Sequence, residues 1–353
     1  MEGTNEYELM WGMVLNGKPS PSEDLKATRK HFSRLGLIFF LGAVIINGMQ
    51  LAAAVVVGIV KPEWLADPNA VILLSVLPTY LIGMPAMIAL AKRVPSATVE
   101  EHHMKAGDVA LAAFMCFAIV YVSNIIGNMI TFVIGLMKGG EVENVLAGMT
   151  DSVELPLLFL TTVICAPLAE EYIFRKLIVD RTVRYGQGVA VVTSGLMFGL
   201  FHGNLNQFAY AFTLGMFLAF LYVKTGNLKI TIAFHMMVNF MGTVAITLLT
   251  DTLHLDDFLE ALDTDAGGGA LLRYYLENLT GWAIYFAFVF FVLAVIIVGS
   301  VLLIIAFVKR RFLLESGEIT IPEGKRFKTI FLNPGMILFG LFWIAIILWQ
   351  LLY

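Results

Sequence analysis

The stretch GWAIYFAFVFFVLAVIIVGSVLLIIAFV, residues 281–308, carries no acidic or basic side chain along its whole length. A hydrocarbon core about 30 Å thick takes roughly 20 helical residues to cross, so this segment can span it with some tilt. In lipid, backbone N–H and C=O groups must be satisfied internally, and a helix does so within one segment. The same ruler predicts further helices near 35–60, 70–91, 109–137, 155–179, 187–203, 206–223, 228–250 and 332–352. The expected fold is therefore all-α, a polytopic transmembrane helical bundle of about nine spans. The fifth and sixth helices are short for the ruler, and only Asn204 and Leu205 lie between them. One of the two is expected to tilt or to stop partway.

Composition agrees. Hydrophobic residues make up 59% of the 353 and charged residues 14%, against about 25% charged in an ordinary soluble domain. This excludes a water-soluble globule. The expected partners are the lipid bilayer and a membrane-associated protein or peptide, with no nucleic acid. The first 33 residues are polar, contain Pro19 and Pro21, and lack the apolar core and cleavage site of a signal peptide. The first span is accordingly expected to stay in the mature chain. Cys116 and Cys165 fall in apolar runs and read as packing residues.

Orientation follows from lysines and arginines, which are retained on the cytoplasmic side. Of the 23, all but Lys61, Lys138 and Arg273 fall in the N-terminal segment or in the second, fourth, sixth and eighth connections. The N-terminus is predicted cytoplasmic and the C-terminus external. Nine or seven crossings fit this alternation and eight does not. Residues 1–34 read as a cytoplasmic segment, 35–137 as three accessory helices, 155–250 as the core, and 251–280 as an acidic external loop. The last part, 281–353, reads as two helices joined by a basic cytoplasmic segment. That joining segment, KRRFLLESGEITIPEGKRFK (309–328), reads as a small hairpin or a surface-lying element whose basic ends could touch anionic lipid. The whole pattern suits a prokaryotic plasma membrane, with an endoplasmic reticulum location left open.

Ionisable residues recur inside apolar helices only between 165 and 240. Such a side chain costs at least about 2.5–3.5 kcal/mol at the bilayer centre and usually serves a pathway, a partner or a site. In PLAEEYIFRK (167–176), Glu171 and Arg175 are four apart and can pair on one helical face. Glu170 points about 100° away and needs a partner on another helix. His235 and Asn239, in HMMVN, share a face by the same spacing, and His202 follows Phe198 in FGLFH. At about 1.5 Å per residue, Glu170 lies ~15 Å from Asp180, His235 ~9 Å and Asn239 ~15 Å from Lys229, and His202 ~21 Å from Gly188. A tilted fifth helix would bring His202 level with the rest. A converging glutamate and histidine can hold and deprotonate a water. A second histidine and an asparagine can donate to an oxyanion. Peptide-bond hydrolysis is the reaction class this set supports.

The motifs EEYIFR (170–175), FGLFH (198–202) and HMMVN (235–239) resemble EExxxR, FxxxH and HxxxN of the CAAX protease and bacteriocin-processing (CPBP, or Abi) family of intramembrane glutamic endopeptidases. The likeness covers roughly 155–250, in order and on separate helices. It implies that Glu170 and His202 activate water, that His235 and Asn239 stabilise the oxyanion, and that Glu171, Arg175 and Phe198 support the site. It also implies a membrane-embedded peptidase whose substrates range from prenylated CAAX proteins to bacterial peptides in maturation, including bacteriocin processing and self-immunity. No cofactor is expected.

Three rivals stand beside this reading. Glu170, Glu171, His202 and His235 are also plausible zinc ligands, although no HExxH helix is present. The same buried groups could form a transporter's proton relay, or the fold could serve as a non-proteolytic scaffold. Ser194 and Cys165 are poor candidate nucleophiles, because neither is spaced to meet its nearest base.

Overall fold

The computed structural model of the chain describes residues 21–140, 142, 153–264 and 268–352. Pro19 and residues 265–267 of the acidic loop read at 251–280 lie outside them. Among the described residues the chain is helical with no strand. Among the described residues nine helices form the array: α1 Pro21–Val60, α2 Pro68–Ala91, α3 Ala106–Lys138, α4 Leu155–Tyr185, α5 Gln187–Phe201, α6 Leu205–Thr225, α7 Leu228–Leu253, α8 Leu279–Val308 and α9 Pro334–Leu352. Eight are long and apolar enough to cross a bilayer, and α5, at 15 residues, is not.

The short helix keeps the alternation intact because it forms a hairpin with α6. Gly203 turns the chain at φ +60°, and the Asn204 side chain caps α6 by accepting from the Asn206 N–H at 2.8 Å. The start of α5 and the end of α6 meet at Glu315, whose backbone carbonyl accepts from the Gln187 N–H at 3.0 Å and whose carboxylate accepts from Lys224 at 2.9 Å. The hydrogen bond from Lys224 holds the Glu315 carboxyl below its ordinary range. Both ends of the hairpin thus lie on one side.

That side also gathers the basic connections. The Ala97 N–H donates to the Asp180 carbonyl at 2.6 Å, and the His102 N–H to the Thr225 carbonyl at 2.8 Å. His31 bonds the Arg181 carbonyl, and Arg29 the Leu332 carbonyl. Within 309–328, residues 313–322 run as an irregular strap across the ends of α4 and α5, with the Ile319 N–H on the Arg184 carbonyl at 3.0 Å, and do not pair as a hairpin; a short helix, Arg326–Ile330, follows. Lys138 sits at the opposite end, donating to the Leu351 carbonyl. The acidic segment after α7 is built as two short helices, Leu255–Thr264 and Gly269–Glu277, joined to α7 by the Tyr274 hydroxyl on the Leu253 carbonyl and stacked through Phe258 and Tyr274.

Helices α4 to α7 form the centre. α3 packs on α6 and carries α8 on its outer side, while α1 pairs with α9 and α2 on the other flank. In lipid, helices associate through close packing, which small residues allow. Gly195 and Gly199, one turn apart on α5, meet α6 this way: a Cβ on Gly199 would stand 2.9 Å from the Phe212 Cβ and 3.1 Å from its backbone. Gly199→Leu is expected to cost at least about 1–3 kcal/mol of stability by overpacking, while Gly340→Leu, where the added atom meets nothing within 4 Å, is expected to leave thermal unfolding in detergent unchanged.

Candidate active site

The helix that carries both glutamates is irregular around them. α4 is α-helical at Ala166–Glu171 but π-helical at Phe159–Cys165 and again at Tyr172–Val179. Such bulges recur at functional sites because they re-aim side chains within a continuous helix. Here one of them has a visible consequence. The Ala166 N–H reaches the Thr161 carbonyl, an i→i+5 bond. In that register the Thr162 carbonyl would take the N–H of residue 167, and Pro167 has none. Asn239 supplies the missing donor: its Nδ2 bonds the Thr162 carbonyl at 2.8 Å. The asparagine is thereby held against α4, one turn along α7 from His235, and retains a second N–H.

Glu171 is fully buried and fully engaged. Arg175 Nε donates to Oε2 at 2.9 Å and Nη2 to Oε1 at 3.0 Å, a two-pronged pair with both side chains at 0% exposure. His235 Nδ1 donates to the same Oε1 at 3.0 Å. The remaining Arg175 nitrogen, Nη1, donates to Ser194 Oγ at 2.8 Å, and that hydroxyl donates on to the Phe174 carbonyl at 2.8 Å. This chain ties α4, α5 and α7 together and fixes the His235 tautomer. With Nδ1–H committed to Glu171, Nε2 is an acceptor when the ring is neutral and a donor when it is the imidazolium.

His235 Nε2 faces Glu170, 3.8 Å from Oε2, too long for a hydrogen bond and close enough to share a bridging water. The Glu170 side chain is 15% exposed against 3% for His235, so it is the carboxylate that solvent or substrate can reach. His202 closes the group from the end of α5, its Nδ1 bonded to the Phe198 carbonyl at 2.8 Å. That bond turns Nδ1 into the donor and leaves Nε2 as a base. Phe198 is the wedge between these groups: its ring lies edge-to-face with His202 at 4.7 Å and with His235 at 5.6 Å, and under the Arg175 guanidinium at 4.9 Å. The seven residues singled out in the sequence thus fall on α4, α5 and α7: Glu170, Glu171, Arg175 and His235 meet, Phe198 links His202 to them, and Asn239 stands one turn from His235 against Thr162.

Sequence reasoning missed two parts of the assembly. Ser194, discounted as a nucleophile, anchors Arg175; its signal was a hydroxyl one turn before Phe198. Thr162 and Thr243 frame Asn239, the latter donating to the Asn239 carbonyl at 2.6 Å; hydroxyls in membrane helices so commonly bond their own backbone that nothing marked them. Both cysteines are free, Cys116 buried and Cys165 half-buried. Among the described residues no three His, Cys, Asp or Glu side chains stand in position to hold a metal ion. Recruiting Glu171 as a ligand would break its bonds to Arg175 and His235.

Comparison with known proteins converges on the same helices. The family model for type II CAAX prenyl endopeptidase Rce1-like proteins matches residues 152–241, which include every residue of the site. YdiL of Bacillus subtilis, provisionally named a membrane peptidase, is 31% identical over 169 residues, covering 46% of this chain and 66% of that protein. The membrane-embedded CAAX protease MroQ of Staphylococcus aureus is 25% identical over 171 residues, covering 45% of this chain and 68% of that one. The chain therefore spans about two thirds of the length of each relative. No solved structure matches it. Three motifs in order, on helices that bring them to one buried carboxylate network, lie wholly within the matched segment, and the chain belongs to the CAAX protease and bacteriocin-processing family.

Proposed function

We propose that the chain is an intramembrane peptidase of the glutamic type, hydrolysing a peptide bond of a membrane-associated protein or peptide. The observation that carries this reading is the unequal pair of glutamates. Glu171 is saturated by Arg175 and His235, while Glu170 faces the open Nε2 of His235 across a gap of 3.8 Å. A water held by Glu170 and by Nε2 of His202 gives its proton to the Glu170 carboxylate as its oxygen attacks the scissile carbonyl. The oxyanion accepts from Nε2–H of the His235 imidazolium, whose charge Glu171 balances, and from the second N–H of Asn239. Glu170 then returns the proton to the departing amine. Water is consumed, one acid and one amine are formed, and the enzyme ends in its starting state. The names of the two relatives support a peptidase in a membrane, and a bacterial plasma membrane is the location in this reading.

The test compares membrane peptides by mass spectrometry in cells carrying the wild-type chain or Glu170→Gln. Peptides that appear only with wild type, from purified protein that remains active after chelation, are the expected result. Identical peptide profiles would overturn the reading, and activity lost to chelator and restored by zinc would replace it with the metal-dependent one.

A further inference from the structure

A cavity of about 280 Å³ opens beside His202, between the α5–α6 turn, α1, α2 and α9, just below the roughly 300–1,000 Å³ of ligand pockets. Its walls contain five carboxamides, Asn47, Gln50, Asn204, Gln207 and Gln350, and no Asp, Glu, Lys or Arg. The five converge from three helices and a turn on one space, with Ile46, Phe201, Trp343 and Ile346 around them, and such a set suits a polar occupant. They are also pre-oriented. Gln50 donates its amide nitrogen to the Ser75 carbonyl and to Thr79 Oγ1, both at 3.0 Å, and Asn47 donates to the Ala43 carbonyl at 2.9 Å. The Asn204 oxygen is taken by the Asn206 N–H. Gln50 and Asn47 therefore retain acceptors, Asn204 retains its two donors, and Gln350 brings both.

Neutral donors and acceptors side by side match the alternating N–H and C=O groups of an extended peptide, and they offer no countercharge to a free carboxylate. We propose that this cavity is a main-chain cleft for the substrate on one side of the scissile bond, and that it selects an uncharged internal segment over a chain end bearing a free carboxylate. The proposal rests on the peptidase reading above and names its substrate class. His202 lines the cleft as well as the site, so a segment seated there lies beside the residue proposed to hold the attacking water.

The test uses the purified chain in lipid nanodiscs and a proteome-derived peptide library in two forms, with carboxylates free or fully amidated. The expected result is cleavage at the same internal bonds in both forms. Asn47→Leu with Gln350→Leu should raise KM about fivefold or more with kcat within about twofold, as lost ground-state hydrogen bonds require. Gln350 is exposed near the end of α9, so Gln350→Leu alone serves if the pair fails to fold. Loss of cleavage on amidation, or a KM unmoved by these substitutions, would overturn the proposal. If wild type cleaves neither form, the peptidase reading fails. The cleft then stands on equilibrium retention of library peptides that Gln350→Leu abolishes, and falls without it.

Discussion

Arg175→Met is expected to destabilise the fold by about 3–5 kcal/mol, the usual cost of leaving one member of a buried ion pair without the other. Glu171 and Arg175 are both at 0% exposure, so no solvent can take over for the missing guanidinium, and the Ser194 hydroxyl loses its donor in the same step. The companion variant Glu171→Gln with Arg175→Met should recover most of that stability. It removes both charges, keeps an oxygen to accept from His235 Nδ1, and fills the arginine's space with an apolar chain of fair length. Its activity should stay low, because an uncharged amide supplies no charge to balance His235 as that ring donates to the oxyanion. Thermal unfolding in detergent, read beside peptide cleavage for wild type and the two variants, checks both halves. A single variant as stable as wild type would show that the pair does not bear on folding. A fully active double variant would remove Glu171 from the chemistry.

The local parts of this site were legible from the sequence because helical spacing alone decides them. Glu171 and Arg175 at four apart, His235 and Asn239 at four apart, and Phe198 ahead of His202 each put two groups on one face. What spacing could not provide is which face meets which. The bond from His235 to Glu171 joins residues 64 apart in the chain, and it reassigns the histidine from a free donor to one arm of a carboxylate–imidazole pair. The Asn239–Thr162 contact depends on a π-helical register that only a three-dimensional view reveals, although Pro167, which lacks the N–H that the Thr162 carbonyl would take there, was in plain sight. The span count shows the same division. Length marked α5 as doubtful, and the Lys and Arg alternation required its parity to survive; the hairpin with α6 meets both conditions with a helix of 15 residues. The strap within 309–328 was read as a hairpin or surface element because alternation in a polar segment looks alike whether its partner is itself or the ends of other helices.

Glu170→Gln and His202→Ala should each lower kcat by about 10²–10⁴, the range for removing a general base, and the double variant should be little worse than either alone. The reason is that the two act on one water. Glu170 takes its proton, and His202, with Nδ1 pinned to the Phe198 carbonyl, presents Nε2 to orient it; without either partner the water is no longer both held and deprotonated, so removing the second group has little left to remove. Groups that work as a unit lose their effects together in this way, and independent groups multiply. Glu170→Gln should also leave the unfolding temperature close to wild type, since Glu170 is partly exposed and its contact with His235 is too long to be a hydrogen bond. His202→Ala, which opens space beside Phe198, should cost some stability, so the comparison is made on kcat at saturating peptide and below the unfolding temperature of each variant. Multiplicative losses in the double variant would mean that the two residues serve different steps, with His202 moved from the attacking water to the departing amine.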